Sequence, residues 1–231
     1  MEIKELSLLT SKLQEMKRFY VEKLSIPLFI ENEQSFTLKI GNSKLIFVSS
    51  EEDSFYHFAF NIPNEKLMEA KNWLSERTEI LTEDGEEIIH FPSPWDAKAF
   101  YFFDPSGNIV ELIEKERLNQ FSDEEFSGAS ILSVSEIGFP VDSPENFKAL
   151  LNDLHIPVFR DFEQFKALGD DHGLFIVVNK NRKWFMGNKN PVISKINVTI
   201  NGEKTMLINV PNHPYKIKVE ASCKDKVINN R

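Results

Sequence analysis

Two stretches of the chain, ELSLLTSKLQEMKRFYVEKLSIPLF (residues 5–29) and EIGFPVDSPENFKALLNDLHIPVF (residues 136–159), repeat one pattern. Each begins with a short apolar run, enters apolar positions spaced three and four residues apart, and leaves through Ile-Pro into a second apolar run. This order predicts a strand, a helix and a strand. In the second copy Ser143 and Pro144 favour a helix start, because serine can accept from a free N–H and proline has none to satisfy.

Further apolar runs extend the repeat to one strand, one helix and three strands, a βαβββ unit. The first copy is followed by FTLKI (36–40) and KLIFVSS (44–50), and the second by FKALG (165–169) and LFIVV (174–178). A short polar turn joins the two runs of each pair, which favours an antiparallel hairpin.

Two more copies complete the pattern. One starts at HFAFNI (57–62) and ends with FYFFDPSGNIVELIE (100–114), whose DPSGN segment has residues that tight turns prefer. The last starts at KINVTI (195–200) but lacks a helical period, so we expect a degenerate unit that forms a β-hairpin. The sequence therefore predicts an α+β fold of tandem βαβββ units.

A polar, acidic stretch between the second and third units suggests where the chain divides. We expect one domain of two units at residues 1–116, a linker at residues 117–130, and a second, degenerate half at residues 131–231.

Composition narrows the partners that the protein can have. The 231 residues are 41% hydrophobic and 12% aromatic, which excludes disorder of the whole chain. The net charge of −9 disfavours nucleic acids and anionic membranes, and no apolar run approaches the length of about 20 residues that spans a bilayer. The single cysteine, Cys223, cannot form an internal disulfide. We expect a cytoplasmic monomer or homodimer that binds a small molecule.

The sequence resembles the vicinal oxygen chelate superfamily, which includes glyoxalase I, extradiol dioxygenases and bleomycin-binding proteins. FYFFDPSGNIVELIE (100–114) is the most specific match, supported by the ELSLL and MKRFYVEKL segments of the opening and by HFAFNI (57–62). The resemblance covers residues 3–115 well and 131–180 in outline. It implies curved mixed sheets of glyoxalase type, with a metal or ligand in the concave face.

The resemblance also implies a set of metal ligands. The superfamily positions fall on Glu5 at the opening strand, His57 on the corresponding strand of the next unit and Glu111 on the closing strand. One imidazole and two carboxylates would favour Mn, Fe, Ni or Zn. Glu136 occupies the position in the second half that matches Glu5, and it would replace Glu5 if the unit of His57 paired with the unit of Glu136. We favour Glu5, because neighbouring units usually pair.

Structural roles remain open for these same residues. Glu5 would also suit a solvated strand end, and His57 would suit a hydrogen-bonded place in the core. Glu111 stands among apolar neighbours on its strand, and a carboxylate buried there requires a partner. The resemblance places Trp95 and Tyr101 at the rim of the substrate pocket, where packing would explain them equally well.

Two hypotheses for function follow. In the first, the protein is a metal-dependent lyase, isomerase or dioxygenase that acts on a small molecule with vicinal oxygens. Glu111 or Glu5 would then move a proton beside a carbonyl. Ring-cleaving dioxygenases normally use further histidines, and the first half offers only His90 besides His57. In the second hypothesis, the protein binds and sequesters a small molecule without a metal.

Overall fold

The computed structural model describes residues 1–221, so Cys223 lies outside the described part of the chain. Fifteen strands are present in it: β1 (Ile3–Thr10), β2 (Leu28–Asn32), β3 (Ser35–Ile40), β4 (Ser43–Ser49), β5 (His57–Asn61), β6 (Ile89–Phe91), β7 (Ala97–Phe103), β8 (Ile109–Lys115), β9 (Ser133–Val141), β10 (Val158–Phe162), β11 (Phe165–Asp170), β12 (Gly173–Asn179), β13 (Ile196–Gly202), β14 (Met206–Asn209) and β15 (Tyr215–Ala221).

One helix follows the first strand of each of the first three units. The helices are α1 (Leu13–Lys17), which continues as a π-helical turn (Arg18–Lys23), α2 (Leu67–Ser75) and α3 (Pro144–Leu150). The Ser143 hydroxyl accepts from the backbone N–H of Asn146 at 3.2 Å, as expected for the start of α3. Short 3₁₀ turns (Glu116–Leu118, Gly128–Ser130 and Asn152–Leu154) complete the helical segments.

The strands form two curled mixed sheets, and the predicted α+β fold of βαβββ units is confirmed. One sheet has seven strands in the order β14-β15-β13-β1-β4-β3-β2. The other has eight, in the order β10-β11-β12-β9-β5-β8-β7-β6. The last unit has no helix in the described residues, and its β14 and β15 pair as the predicted antiparallel hairpin.

The pairing of the units differs from the sequence-based expectation. The second unit pairs with the third through β5 and β9, and the first pairs with the last through β1 and β13. The expectation that neighbouring units pair is therefore wrong at the first and second units. Each sheet draws strands from both sides of residues 117–130, and the domain division at that segment stays a prediction.

Alternation along the strands separates a core from a ligand face. On β5, Phe58 and Phe60 point into the main core that the two sheets and the helices share, together with Leu6 and Leu8 of β1. Ala59 belongs to a second apolar cluster on the opposite face of the eight-stranded sheet. That opposite face carries the candidate site.

Candidate metal centre

Three neighbouring strands bring one imidazole and two carboxylates together. Strand β5 lies between β8 and β9, and Ala59 is level with Glu111 on one side and with Glu136 on the other. His57 is two residues from Ala59 and therefore lies on the same face. One donor atom from each of His57, Glu111 and Glu136 lies within 4.8 Å of the others, and all three residues are buried. The methyl side chain of Ala59 leaves the space in which they meet.

A hydrogen bond to the backbone fixes the tautomer of the His57 ring. Its Nδ1 lies 3.2 Å from the carbonyl oxygen of Ile109, which can only accept, so Nδ1 carries the proton. The lone pair of Nε2 then faces Glu111 Oε2 at 3.7 Å. Burial lowers the pKa of His57, although the charge of Glu136 opposes this shift, so the neutral ring is favoured. A neutral imidazole held through its other nitrogen is the arrangement found in metal-binding histidines.

The two carboxylates repel each other in a buried place. Burial raises the pKa of Glu111 well above its usual value, and the charge of Glu136 raises it further. The Tyr101 hydroxyl acts in the opposite direction by hydrogen bonding to Glu111. Burial and the same two carboxylates raise the pKa of Tyr101. A proton or a cation is therefore needed between these groups.

A buried lysine contributes one positive charge. Lys115 lies on the same face of β8 as Glu111, and its Nζ is 3.2 Å from Glu136 Oε1. A β-bulge at Ser135 lets the same Nζ donate to the Ser135 hydroxyl at 2.8 Å. Despite the ion pair, Glu136 Oε1 receives no well-aligned hydrogen bond from the described residues. With both carboxylates ionised, the cluster has a net charge of 1 − 2 = −1.

The cluster lies on the floor of a cavity of about 390 Å³. This volume is in the range of sites for small organic ligands. Most of the wall is aromatic or aliphatic, and its aromatic residues include Trp95, Tyr101, Phe162, Phe165, Trp184 and Phe185. A ligand in this cavity would have its polar end at His57, Glu111 and Glu136 and its body among apolar side chains.

The structure brings some of the predicted site residues together and leaves one apart. His57 and Glu111 meet in the cluster, and Trp95 and Tyr101 line its cavity. Glu5 is on β1 in the seven-stranded sheet, where its half-exposed carboxylate pairs with Lys44 at 3.0 Å. Glu136, the alternative to Glu5, takes the third place because β5 pairs with β9.

Sequence reasoning missed three residues of this site: Lys115, Arg182 and Trp184. Lys115 could have been predicted from the sequence. It follows Glu111 by four residues on an apolar strand, and residues an even number apart share one face of a strand. Arg182 and Trp184 lie in the segment after β12, where no periodic pattern links them to the cluster.

Solved structures share the fold of this chain. A candidate dioxygenase from Bacillus subtilis superposes over 96% of this chain and 85% of its own, with 12% sequence identity and a TM-score of 0.60. This chain has the vicinal oxygen chelate fold. Lactoylglutathione lyase from Agrobacterium tumefaciens matches 48% of this chain over 92% of its own, at 20% identity and a TM-score of 0.41. No protein-family model and no curated protein sequence matches the chain.

The residues of this vicinal oxygen chelate fold suit a divalent metal. Ligand atoms held at about 2.1 Å from one ion are about 3.0 to 3.4 Å apart in octahedral or tetrahedral geometry. The donor atoms here span 4.8 Å at most, so small rotations of the two carboxylates would close the set. The free Nε2 of His57 and the unbonded Oε1 of Glu136 are both lone-pair donors left without a hydrogen bond. The part of the chain that the structure describes offers three protein ligands here, which leaves coordination positions for a substrate.

No helix within residues 1–221 has the length and apolar character needed to cross a membrane.

Proposed function

We propose that the protein is a metal-dependent isomerase or lyase that acts on a small molecule with two neighbouring oxygen atoms. The observation that supports this proposal most is the buried meeting of His57, Glu111 and Glu136 on the floor of an apolar cavity. A bound divalent ion would supply Lewis-acid stabilisation of negative charge on the substrate oxygens. Mn, Fe, Ni and Zn all suit one imidazole and two carboxylates.

The composition of the cluster favours proton transfer over oxygen chemistry. Non-haem iron oxygenases commonly use two histidines and one carboxylate, whereas this cluster has one histidine and two carboxylates. The other described histidines, including His90, do not line the cavity. Dioxygenase activity is therefore the less favoured form of the proposal.

Each residue has a role that its surroundings support. Glu111, whose pKa is raised by burial and by Glu136, can take a proton from a substrate carbon and return it. His57 is held by Ile109 with its Nε2 toward the cluster, so it keeps one orientation throughout. Tyr101 can steady the Glu111 carboxylate through its hydroxyl. The apolar wall makes the surroundings of these groups less polar and so strengthens their interactions.

Metal analysis of protein purified without chelator tests the proposal. We expect about one Mn, Fe, Ni or Zn per wild-type chain, and loss of that metal in Glu111→Gln and Glu136→Gln. Glu5→Gln is the matched control, because it makes the same chemical change in the other sheet and should retain the metal. Absence of metal from the wild type after addition of each of the four ions would refute the proposal.

The type of reaction is tested separately. Metal-loaded protein should catalyse exchange of deuterium from solvent into a carbon next to the carbonyl of a 2-hydroxycarbonyl compound, and Glu111→Gln should abolish the exchange. Oxygen consumption in place of exchange, with a catechol as substrate, would assign the protein to the dioxygenases instead.

A metal-free binding protein is the second candidate, and Lys115 is the observation that favours it. Its buried ammonium group already neutralises one carboxylate, and a proton on Glu111 would neutralise the other. In that case the cavity binds an apolar ligand without chemistry. Ligand binding that is identical before and after chelator treatment, in protein without metal, would support this candidate.

A further inference from the structure

The cavity contains a cation, Arg182, that no carboxylate of the described residues neutralises. Arg182 lines the cavity, and no acidic oxygen of residues 1–221 lies within the 4 Å of an ion pair with it. Its guanidinium lies over the ring of Phe165, 5.1 Å from the ring centre. Its only hydrogen bond to the described protein is a long one of 3.5 Å, to the carbonyl oxygen of Lys183.

The wall of the same cavity carries further hydrogen-bond donors. The Gln164 side chain, which can donate through its amide, lines the same cavity. Trp184 lies toward the metal centre, with its ring centre 5.0 Å from that of His57. It is 94% buried, and its indole N–H finds no acceptor in the described part of the chain. Burial lowers the pKa of Arg182, and no acidic group among residues 1–221 compensates for its partial dehydration. A buried donor without an acceptor is costly, and a ligand with acceptor oxygens would remove that cost.

The strand register separates the Arg182 end of the cavity from the metal centre. Glu136 is level with Leu174 on β12, and Phe165 is level with Val178, four residues farther along the same strand. Four strand residues span about 13 Å of backbone. A ligand that reaches both ends must therefore have a body several atoms long between its two polar groups, and the wall along this path is aromatic.

We propose that the cavity binds an organic anion with an apolar, aromatic-sized body, whose carboxylate is held by Arg182 while its neighbouring oxygens face His57, Glu111 and Glu136. The assignment of the second end rests on the proposed function, but the anion site at Arg182 does not. A guanidinium matches the two oxygens of a carboxylate with two parallel hydrogen bonds, which selects an anion of this shape. Gln164 and Trp184 supply further donors to acceptor atoms of the ligand.

Isothermal titration calorimetry on chelator-treated, full-length protein tests the anion site without any metal. The probes are 4-phenylbutyrate and its neutral analogue 4-phenylbutyramide. We expect the carboxylate to bind the wild type more tightly than the amide. Arg182→Gln should weaken carboxylate binding about tenfold or more and leave amide binding unchanged, since a charged hydrogen-bonded group is lost.

The control is Arg18→Gln, which removes an exposed arginine from the π-helical turn of the first unit and should change neither affinity. Equal loss of carboxylate and amide binding in Arg182→Gln would show a packing role for Arg182 and overturn the proposal. Unchanged carboxylate binding in that variant, or no carboxylate binding by the wild type, would also overturn it.

This titration, together with metal analysis, separates the anion site from the metal-dependent reaction. Carboxylate selectivity through Arg182 in protein that binds no metal would retain the anion site and reject the metal-dependent reaction. A metal at His57, Glu111 and Glu136 without carboxylate selectivity would do the reverse.

Discussion

Replacement of Lys115 by methionine removes a cation that is buried against Glu136, while methionine keeps a similar apolar length. The Nζ to Oε1 distance of 3.2 Å corresponds to an attraction of about 5 kcal/mol at an effective dielectric constant of about 20. Loss of one partner of a buried pair costs about 3–5 kcal/mol in other proteins. Since methionine also avoids the dehydration of the lysine, we expect the free energy of unfolding of metal-free Lys115→Met to fall by about 3 kcal/mol.

Urea unfolding at neutral pH, after chelator treatment, measures this change. With a slope of about 3 kcal/mol per molar urea, the midpoint should fall by about 1 M. Addition of the metal should restore most of the loss, because a divalent ion would take over the compensation of both carboxylates, and metal at 100 times its dissociation constant adds about 2.7 kcal/mol.

The matched control is Lys98→Met on the neighbouring strand β7, where the half-buried lysine has no ion pair among the described residues. Its midpoint should stay near that of the wild type. Equal midpoints for Lys115→Met and Lys98→Met, without metal, would refute the view that the carboxylates of the cluster are charged and depend on Lys115.

Three further predictions concern the scaffold and the cavity. Burial raises the pKa of Asp104 from 3.8 to about 6, so the unfolded chain releases this proton first and stability should fall by about 3 kcal/mol between pH 3 and 7. Urea midpoints of Asp104→Asn should lack that part of the slope, and an unchanged slope would contradict the shift. A Cβ on Gly128 would clash with the carbonyl oxygen of Leu24, 2.0 Å away. Gly128→Ala should therefore lower the free energy of unfolding by about 3 kcal/mol. A urea midpoint equal to that of the wild type would argue against this close approach. A Cβ on Gly138 would lie 2.5 Å from the Trp184 ring. Gly138→Ala should therefore displace that ring, shift the tryptophan fluorescence and weaken binding of 4-phenylbutyrate. Fluorescence and affinity equal to those of the wild type would show that the ring does not pack on Gly138.

Much of the fold could be predicted from sequence because its signals are local. The strand of HFAFNI (57–62) is β5, and the turn DPSGN joins β7 to β8. In that turn Asp104 accepts from the backbone N–H groups of Ser106 and Asn108 at 3.0 Å each, which is a property of the turn residues themselves.

The site could be predicted only in part, since its third carboxylate depends on how units pair. Glu5 and Glu136 occupy equivalent positions in two copies of the same pattern. No residue near either one determines which copy pairs with β5. The choice is made by strand pairing between distant segments, in which Ala59 is level with Glu136. Arg182 could not be predicted as a cavity residue for a similar reason, because it lies in an irregular segment after β12 that has no periodic pattern.

Anomalous diffraction from crystals soaked with Mn or Zn, with data at the absorption edge of that metal, would locate the metal directly. We expect one strong peak about 2.0–2.3 Å from His57 Nε2 and from one oxygen of each of Glu111 and Glu136. A peak at Glu5, or no peak among these three residues while Lys115 keeps its pair with Glu136, would contradict this expectation.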